Sequence, residues 1–423
     1  MIKRTTIFMI FSCVLGPFAH AEPILLTNGT LLEPSTQSVI KQHLLLDGDR
    51  IISRLERISN NFMGKQIDIA GKYVIPGLID MHTHAFGNRA PNTKTETMGP
   101  STTAQVVLHA GVTGFVDLFG NEQRLFEHRR LQHAKLITGA DIYASLSCLT
   151  APGGHCSQFG KTRTISNEQE ATRHIAELAK KQADVIKLVS TLEGKLPSLT
   201  AHQLEYTIKE AKKYGIKTIV HIHTLADIEN AIKAKADAIT HLPDDTVLPI
   251  ELAKTLAENG IAVIPTTSVD TDYYEFLFSN VLEAPLAKKV AASRILDAYA
   301  VSASNMTMKS KHKIKRRTNM YYQSLANLIA ADVKLLAGSD SGNYGTLQGF
   351  TMHRELEKFV SAGQSPWLAL ASATSYAREF LNRPTGLNKN GEASLVILNS
   401  SPIEDIKNSQ DIFAVIHRGK LIN

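Results

Sequence analysis

Val74-Ile-Pro-Gly-Leu-Ile-Asp-Met-His-Thr-His84 is an apolar run closed by a carboxylate and two histidines. It reads as a buried strand that ends at a metal. Residues i and i+2 of a strand point to the same side, so His82 and His84 can hold one cation from one strand end. Neutral imidazole is a common zinc ligand. An isolated His-x-His is weak evidence, because polar residues often close a strand. Working outward, the pattern recurs. Lys187 lies inside Asp184-Val-Ile-Lys-Leu-Val-Ser190, and Lys217-Thr-Ile-Val-His-Ile-His223 ends in His221 and His223. Ala238-Ile-Thr-His241 repeats the theme, and Lys334-Leu-Leu-Ala-Gly-Ser-Asp340 closes on an aspartate.

The segments between these runs have helical spacing. Ser166 to Gln182 places Ile175, Leu178 and Ala179 on one face. Thr200 to Tyr214 opens on a threonine cap and stops at Gly215; Leu225 to Lys235 and Pro249 to Asn259 follow the same scheme. Strands alternating with helices make parallel βαβ units. The strands are expected at Leu78–His84, Gly114–Leu118, Lys135–Ile142, Val185–Ser190, Thr218–His223, Ala238–His241, Ile261–Thr266 and Lys334–Asp340. Such a set predicts an α/β fold, a (β/α)8 TIM barrel, with its chemistry at the carboxyl ends of the strands. The candidate ligands stand at those ends.

With these residues in place, the chain resembles the amidohydrolase superfamily of metal-dependent hydrolases. The resemblance rests on Pro76-Gly-Leu-Ile-Asp-Met-His-Thr-His84, Lys187, His221, His241 and Asp340, and covers nearly all of the mature chain. It implies that His82 and His84 bind one metal and that Lys187 is carboxylated and bridges two. It further implies that His221 and His241 bind the second metal, and that Asp340 is both ligand and general base. Pro152-Gly-Gly-His155, the His221-Ile-His223 doublet, Gly349-Phe-Thr-Met-His-Arg-Glu-Leu356 and Ala371-Ser-Ala-Thr-Ser-Tyr-Ala377 are similar to the imidazolonepropionase-like, prolidase-like branch. Members of that branch cleave dipeptides or N-acyl amino acids. Asn390-Gly-Glu-Ala-Ser-Leu-Val-Ile-Leu398 departs from the family's Gly-rich, Ala-Asp-Leu tail.

These residue types suit amide hydrolysis. Two metals about 3.5–4 Å apart can activate water and grip a carbonyl, and they need a bridging ligand. A carbamate derived from carbon dioxide on Lys187 offers two oxygens, whereas a protonated lysine would repel metal. Asp340 can take a proton from water and return it to the leaving nitrogen. His155 and His223 are candidates to hold the scissile carbonyl or a substrate carboxylate. The expected cofactors are two divalent ions, zinc by ligand type, although manganese, iron and cobalt accept similar donors. The expected reaction is hydrolysis of a dipeptide or N-acyl amino acid, with a cyclic amide or lactone as the alternative. Deaminases of the superfamily carry His-x-x-Glu after strand five and lack the strand-four lysine; here Thr224 takes that glutamate's place and Lys187 is present. A non-catalytic relative would be expected to lose ligands, and none is lost.

The ends and the composition set bounds. A hydrophobic share of 43% and a charged share of 20% are ordinary for a globular protein. Lys3 and Arg4, an apolar run from Ile7 to Leu15, and Ala19-His-Ala21 read as a signal peptide over residues 1–21, cleaved after Ala21. Export to a periplasm or beyond the cell follows, with no transmembrane anchor after processing, since that run is too short to span a bilayer. Cleavage removes two positive charges and leaves a net charge of +4 from +6. The basic run Lys309 to Arg317 has no interleaved aromatics, so nucleic acid is not an expected partner. Residues 22–75 and 390–423 are expected to form a small β-sandwich beside the hydrolase barrel at 76–389. A helical insertion at about 270–330 would serve as a lid or an oligomer contact. Cys148 and Cys156 remain after processing. An oxidising compartment permits a disulfide between them, and spacing alone leaves both redox states open.

Overall fold

The structure is a computed structural model that describes residues 22–191 and 196–422; the expected signal segment lies outside them. Ten short strands from the two ends of the chain pair into two sheets. One runs in the order Arg50–Leu55, His43–Asp47, Ile24–Thr27, Lys65–Asp68. The other runs Lys420–Ile422, Ile412–His417, Leu395–Leu398, Tyr73–Pro76, Thr30–Glu33, Ser38–Ile40. Alternation along the strands explains why every residue of Leu395–Leu398 is buried. Leu395 and Ile397 join Leu31, Val74 and Leu44 in a core between the sheets. Val396 and Leu398 join Leu32 and Ile75 in the main core on the opposite face. The run Val74–Asp80 is therefore not one strand. It divides at Gly77, where a Cβ would lie 2.2 Å from the Thr113 hydroxyl.

Parallel strands with helices between them form the main body. One ladder orders Asp141–Ala144, Val112–Asp117, Leu78–Thr83. A second orders Arg163–Thr164, Cys148–Thr150, Val185–Val189, Lys217–His221, Ala238–Thr240, Ala262–Ile264. The third strand of the expected series begins at Asp141, not Lys135, because the chain still turns there: Lys135 has φ +57° and Leu136 is exposed. That strand also breaks, since Leu146 has φ +64°, so its two halves serve different ladders. Lys334–Asp340 was expected to supply a full eighth strand. It spans the outer strands by single contacts instead: Val263 N to Lys334 O (3.0 Å), Met81 N to Ala337 O (2.9 Å) and Asp340 N to His82 O (2.7 Å). Its backbone leaves the extended region at Asp340, φ +50°, and among the described residues no continuous closed sheet forms.

Ile79, Val116, Tyr143, Val185, Ile219, Ala238, Ala262 and Leu336 nevertheless meet in one cluster, drawn from eight of the parallel segments. The two-residue period then puts Lys187 above Val185, His221 above Ile219 and Thr240 above Ala238 on the same inner face. Capping fixes the intervening helices. Thr200 and Thr224 each make a capping box, with Gln203 and Asp227, at the starts of Ala201–Lys213 and Leu225–Lys233. The insertion after the strand Ala262–Ile264 holds the helices Thr267–Phe278, Pro285–Val290, Ser293–Ser304 and Met308–Ala330. Its Leu286, Ile295, Tyr299, Tyr321 and Leu325 pack into the main core.

Candidate metal centre

Imidazole rings crowd the carboxyl ends of the strands. His82 lies 5.0 Å from His241, His241 lies 4.5 Å from His221, and His221 lies 4.6 Å from His223 and 4.7 Å from His155, centroid to centroid. Asp340 Oδ1 is 3.0 Å from His84 Nε2 and 3.4 Å from His82 Nε2. Lys187 is buried among them with 2% exposure. Its charge acts on His82, His84, His221 and His241 alike. Every expected site residue thus reaches one region.

Two groups of three side chains bring their ligand atoms together. Ligand atoms of His82, His241 and Asp340 lie within 4.8 Å of one another, and so do those of His155, His221 and His223. His241, expected to pair with His221, stands between both groups. His155 and His223, expected to touch substrate, lie at ligand distance from His221.

Hydrogen bonds fix which ring nitrogen faces the cluster. A carbonyl only accepts, so His84 Nδ1–H must donate to Phe119 O at 3.0 Å. The lone pair on His84 Nε2 then faces an Asp340 oxygen, and two acceptors 3.0 Å apart require a proton or a cation between them. Burial lowers the pKa of His84, but the Asp340 hydrogen bond and charge raise it overall. Burial first, then neighbouring positive groups, hold His82, His221 and His241 well below the usual imidazole range. They are neutral donors at physiological pH, the form a metal needs. His221 Nε2 is buried and accepts or donates no hydrogen bond among the described residues. Burial also draws Lys187 down to about 8, against the pull of Cys156, Asp340 and Cys148. That favours the free amine from which a carbamate forms. This donor set fits divalent metal: neutral imidazoles, a carboxylate and a deprotonable lysine.

Sequence reasoning missed the supporting residues. Thr240 Oγ1 lies 2.7 Å from His82 Nδ1, and Thr266 Oγ1 lies 2.8 Å from His241 Nδ1. Asp80 binds the backbone of His82 (3.1 Å) and of Ser339 (3.0 Å), tying the first strand to the Lys334–Ser341 segment; burial lifts its pKa to about 6. A signal existed for Thr240, which precedes His241 at a strand end; Thr266 had none. His241, Thr266 and Asp340 all take positive φ, +77°, +48° and +50°. Such backbone costs about 1–3 kcal/mol per residue and gathers where function requires it. Cys148 and Cys156 are free, buried thiols beside Phe119 and Val189.

Residues 73–422 match the family model described as Amidohydrolase family. The chain belongs to the amidohydrolase family. It is accordingly a hydrolase acting on carbon–nitrogen bonds. Among curated proteins, this amidohydrolase is similar to ochratoxinase of Aspergillus niger, 23% identical over 445 positions that cover 92% of this chain and 83% of that protein. Its fold matches a Xaa-Pro dipeptidase crystallised with methionine in the active site, at a TM-score of 0.76 and 22% identity, covering 95% of this chain and all of the other. It also matches the crystal structure of A. niger ochratoxinase, TM-score 0.74 and 20% identity, over 95% of this chain and 96% of that one. These likenesses establish a TIM-barrel-like α/β fold. No helix among the described residues of the amidohydrolase is long and apolar enough to cross a membrane.

Proposed function

We propose that this amidohydrolase cleaves the amide bond of a small dipeptide or N-acyl amino acid on a binuclear metal centre, inside a (β/α)8 barrel flanked by the sandwich of the chain ends. The observation that carries the reading is the opposition of His84 Nε2 and Asp340 Oδ1 at 3.0 Å, beside neutral buried imidazoles and a buried lysine. His82, His84, His221, His241 and Asp340 would hold the metals, zinc by ligand type, with Lys187 as its carbamate between them. Divalent metal held there would supply an acidified water and a polarised scissile carbonyl. Asp340 takes the proton released by the attacking water and returns it to the leaving nitrogen. His155 and His223 orient the carbonyl or a carboxylate beside it.

Thr224 supports hydrolysis over deamination, because its hydroxyl caps the helix Leu225–Lys233 and offers no carboxylate. Residues 1–21 fit export to a periplasm or beyond the cell. The test is amino-acid release from a panel of dipeptides and N-acyl amino acids, with zinc and bicarbonate supplied. Asp340→Asn should keep its fold by circular dichroism and lose about 10²- to 10⁴-fold in turnover. Near-normal turnover in that variant would remove Asp340 as the base. Silence of the native enzyme across the panel, with two metals measured bound, would turn the reading to cyclic amides and lactones.

A further inference from the structure

Arg317 is the one basic residue of the run 309–317 that lines the cavity beside the candidate centre. It sits on the insertion helix Met308–Ala330. Its Nε donates to the Tyr321 hydroxyl at 3.1 Å, and its Nη2 donates to that hydroxyl at 2.9 Å and to Asp244 Oδ2 at 3.3 Å. Asp270 Oδ1 lies 3.3 Å from the same Nη2. Nη1, with two N–H groups, meets no acceptor among the described residues, and the side chain is 41% exposed.

The open edge lines a cavity of about 520 Å³ with Asp270, Tyr273, Ile314, Asn343 and Tyr344. Two contacts link the lining of this cavity to the centre. Asn343 Nδ2 donates to the Asp340 carbonyl at 3.3 Å. Asp244, which holds Arg317, stands 3.6 Å from His223 Nδ1. With Nε and Nη2 held by Tyr321, Asp244 and Asp270, the two N–H groups of Nη1 remain to donate to the oxygens of an anion. The tyrosines and Ile314 add an apolar wall able to take a side chain.

We infer that Arg317 reads the free carboxylate of the substrate and so makes the enzyme select C-terminal acids over their amides. The inference rests on the amide-hydrolase reading and adds to it the group that positions the leaving amino acid. Asp244 and Asp270 hold the guanidinium in place; if they instead governed binding, the cavity would favour a cation.

The experiment compares N-acetyl-L-phenylalanine with N-acetyl-L-phenylalaninamide on the metal-loaded enzyme and on Arg317→Gln and Arg317→Lys. Both kinetics and calorimetric binding to the Asp340→Asn background are read. Native enzyme should prefer the acid. Arg317→Gln should lower the acid-to-amide ratio of kcat/KM by roughly tenfold to a hundredfold, through KM, and lower acid binding by a similar factor. Arg317→Lys should recover part of that loss. An equal fall for acid and amide would mark a structural role and overturn the inference. So would a preference for the amide, or an unchanged ratio. Should neither compound be cleaved, the binding comparison still decides: acid affinity unaffected by Arg317→Gln refutes the inference, whereas absent cleavage counts against the amide-hydrolase reading.

Discussion

Thr240 holds the ring of His82 by a 2.7 Å contact to Nδ1. Partners of this kind set the tautomer and aim of a ligand, and their loss typically costs 10- to 100-fold in metal affinity. Thr240→Val keeps the shape and removes the hydroxyl. Competition with a fluorescent zinc chelator should show that weakening; unchanged affinity would leave Thr240 a packing residue only. Lys187 makes a sharper demand. As a buried amine drawn down to about 8 despite the pull of nearby Asp340, it gains a purpose from carboxylation. Lys187→Ala should bind at least one metal fewer by elemental analysis, and bicarbonate should not restore it. Two metals held tightly by that variant would refute the bridge. Both residues lie in strands, but of the two the sequence reading singled out Lys187 alone. A lysine within a β-branched run is anomalous, while a threonine there is ordinary.

At the scale of elements, the strand Leu395–Leu398 and the helix Phe350–Ser361 join the chain ends to the body. His353 on that helix donates from Nε2 to the Ala110 carbonyl at 2.8 Å, so its Nδ1 accepts from Ser409 at 2.9 Å. Burial first, despite the Ala110 hydrogen bond, lowers its pKa to about 4. A histidine with its folded pKa depressed contributes fully above its unfolded value near 6.5. The contribution is lost as pH falls through about 4, because the unfolded chain binds the proton more readily. Stability should therefore drop between pH 6.5 and 4 by as much as about 3 kcal/mol from this residue. Urea melts at pH 7 and pH 5 should show a steeper fall for the native chain than for His353→Asn. Equal slopes would deny that His353 is buried neutral. Sequence gave the helix Ala201–Lys213 nearly to its ends, since a threonine cap and a glycine stop are local signals. It misjudged Lys135–Ile142, where the apolar residues Leu136 and Ile137 imitate a strand but follow a turn at Lys135 and lie outside any strand.

For the whole molecule, the centre joins parts far apart in the chain, from His82 to Asp340. A cation bound only by the folded state stabilises by about 2.7 kcal/mol at a hundredfold excess over its Kd. Stripping metal with a chelator at neutral pH should lower Tm by several degrees, and zinc should restore it. An unmoved Tm, with metal shown to be gone, would mean that the cluster does not couple folding to metal. The sequence by itself determined the alternation of strands and helices and the identity of the ligand candidates. Those depend on periodicity, capping and residue chemistry within a few positions, all written locally. The tertiary structure alone decided how the ligands group, that the third strand breaks at Leu146, and that Lys334–Ser341 bridges rather than pairs fully. It also decided that Thr266 steadies His241 and that Arg317 lines the cavity beside the centre. Each of these depends on the meeting of segments tens to hundreds of residues apart, where backbone strain and burial are settled by packing that no local pattern encodes.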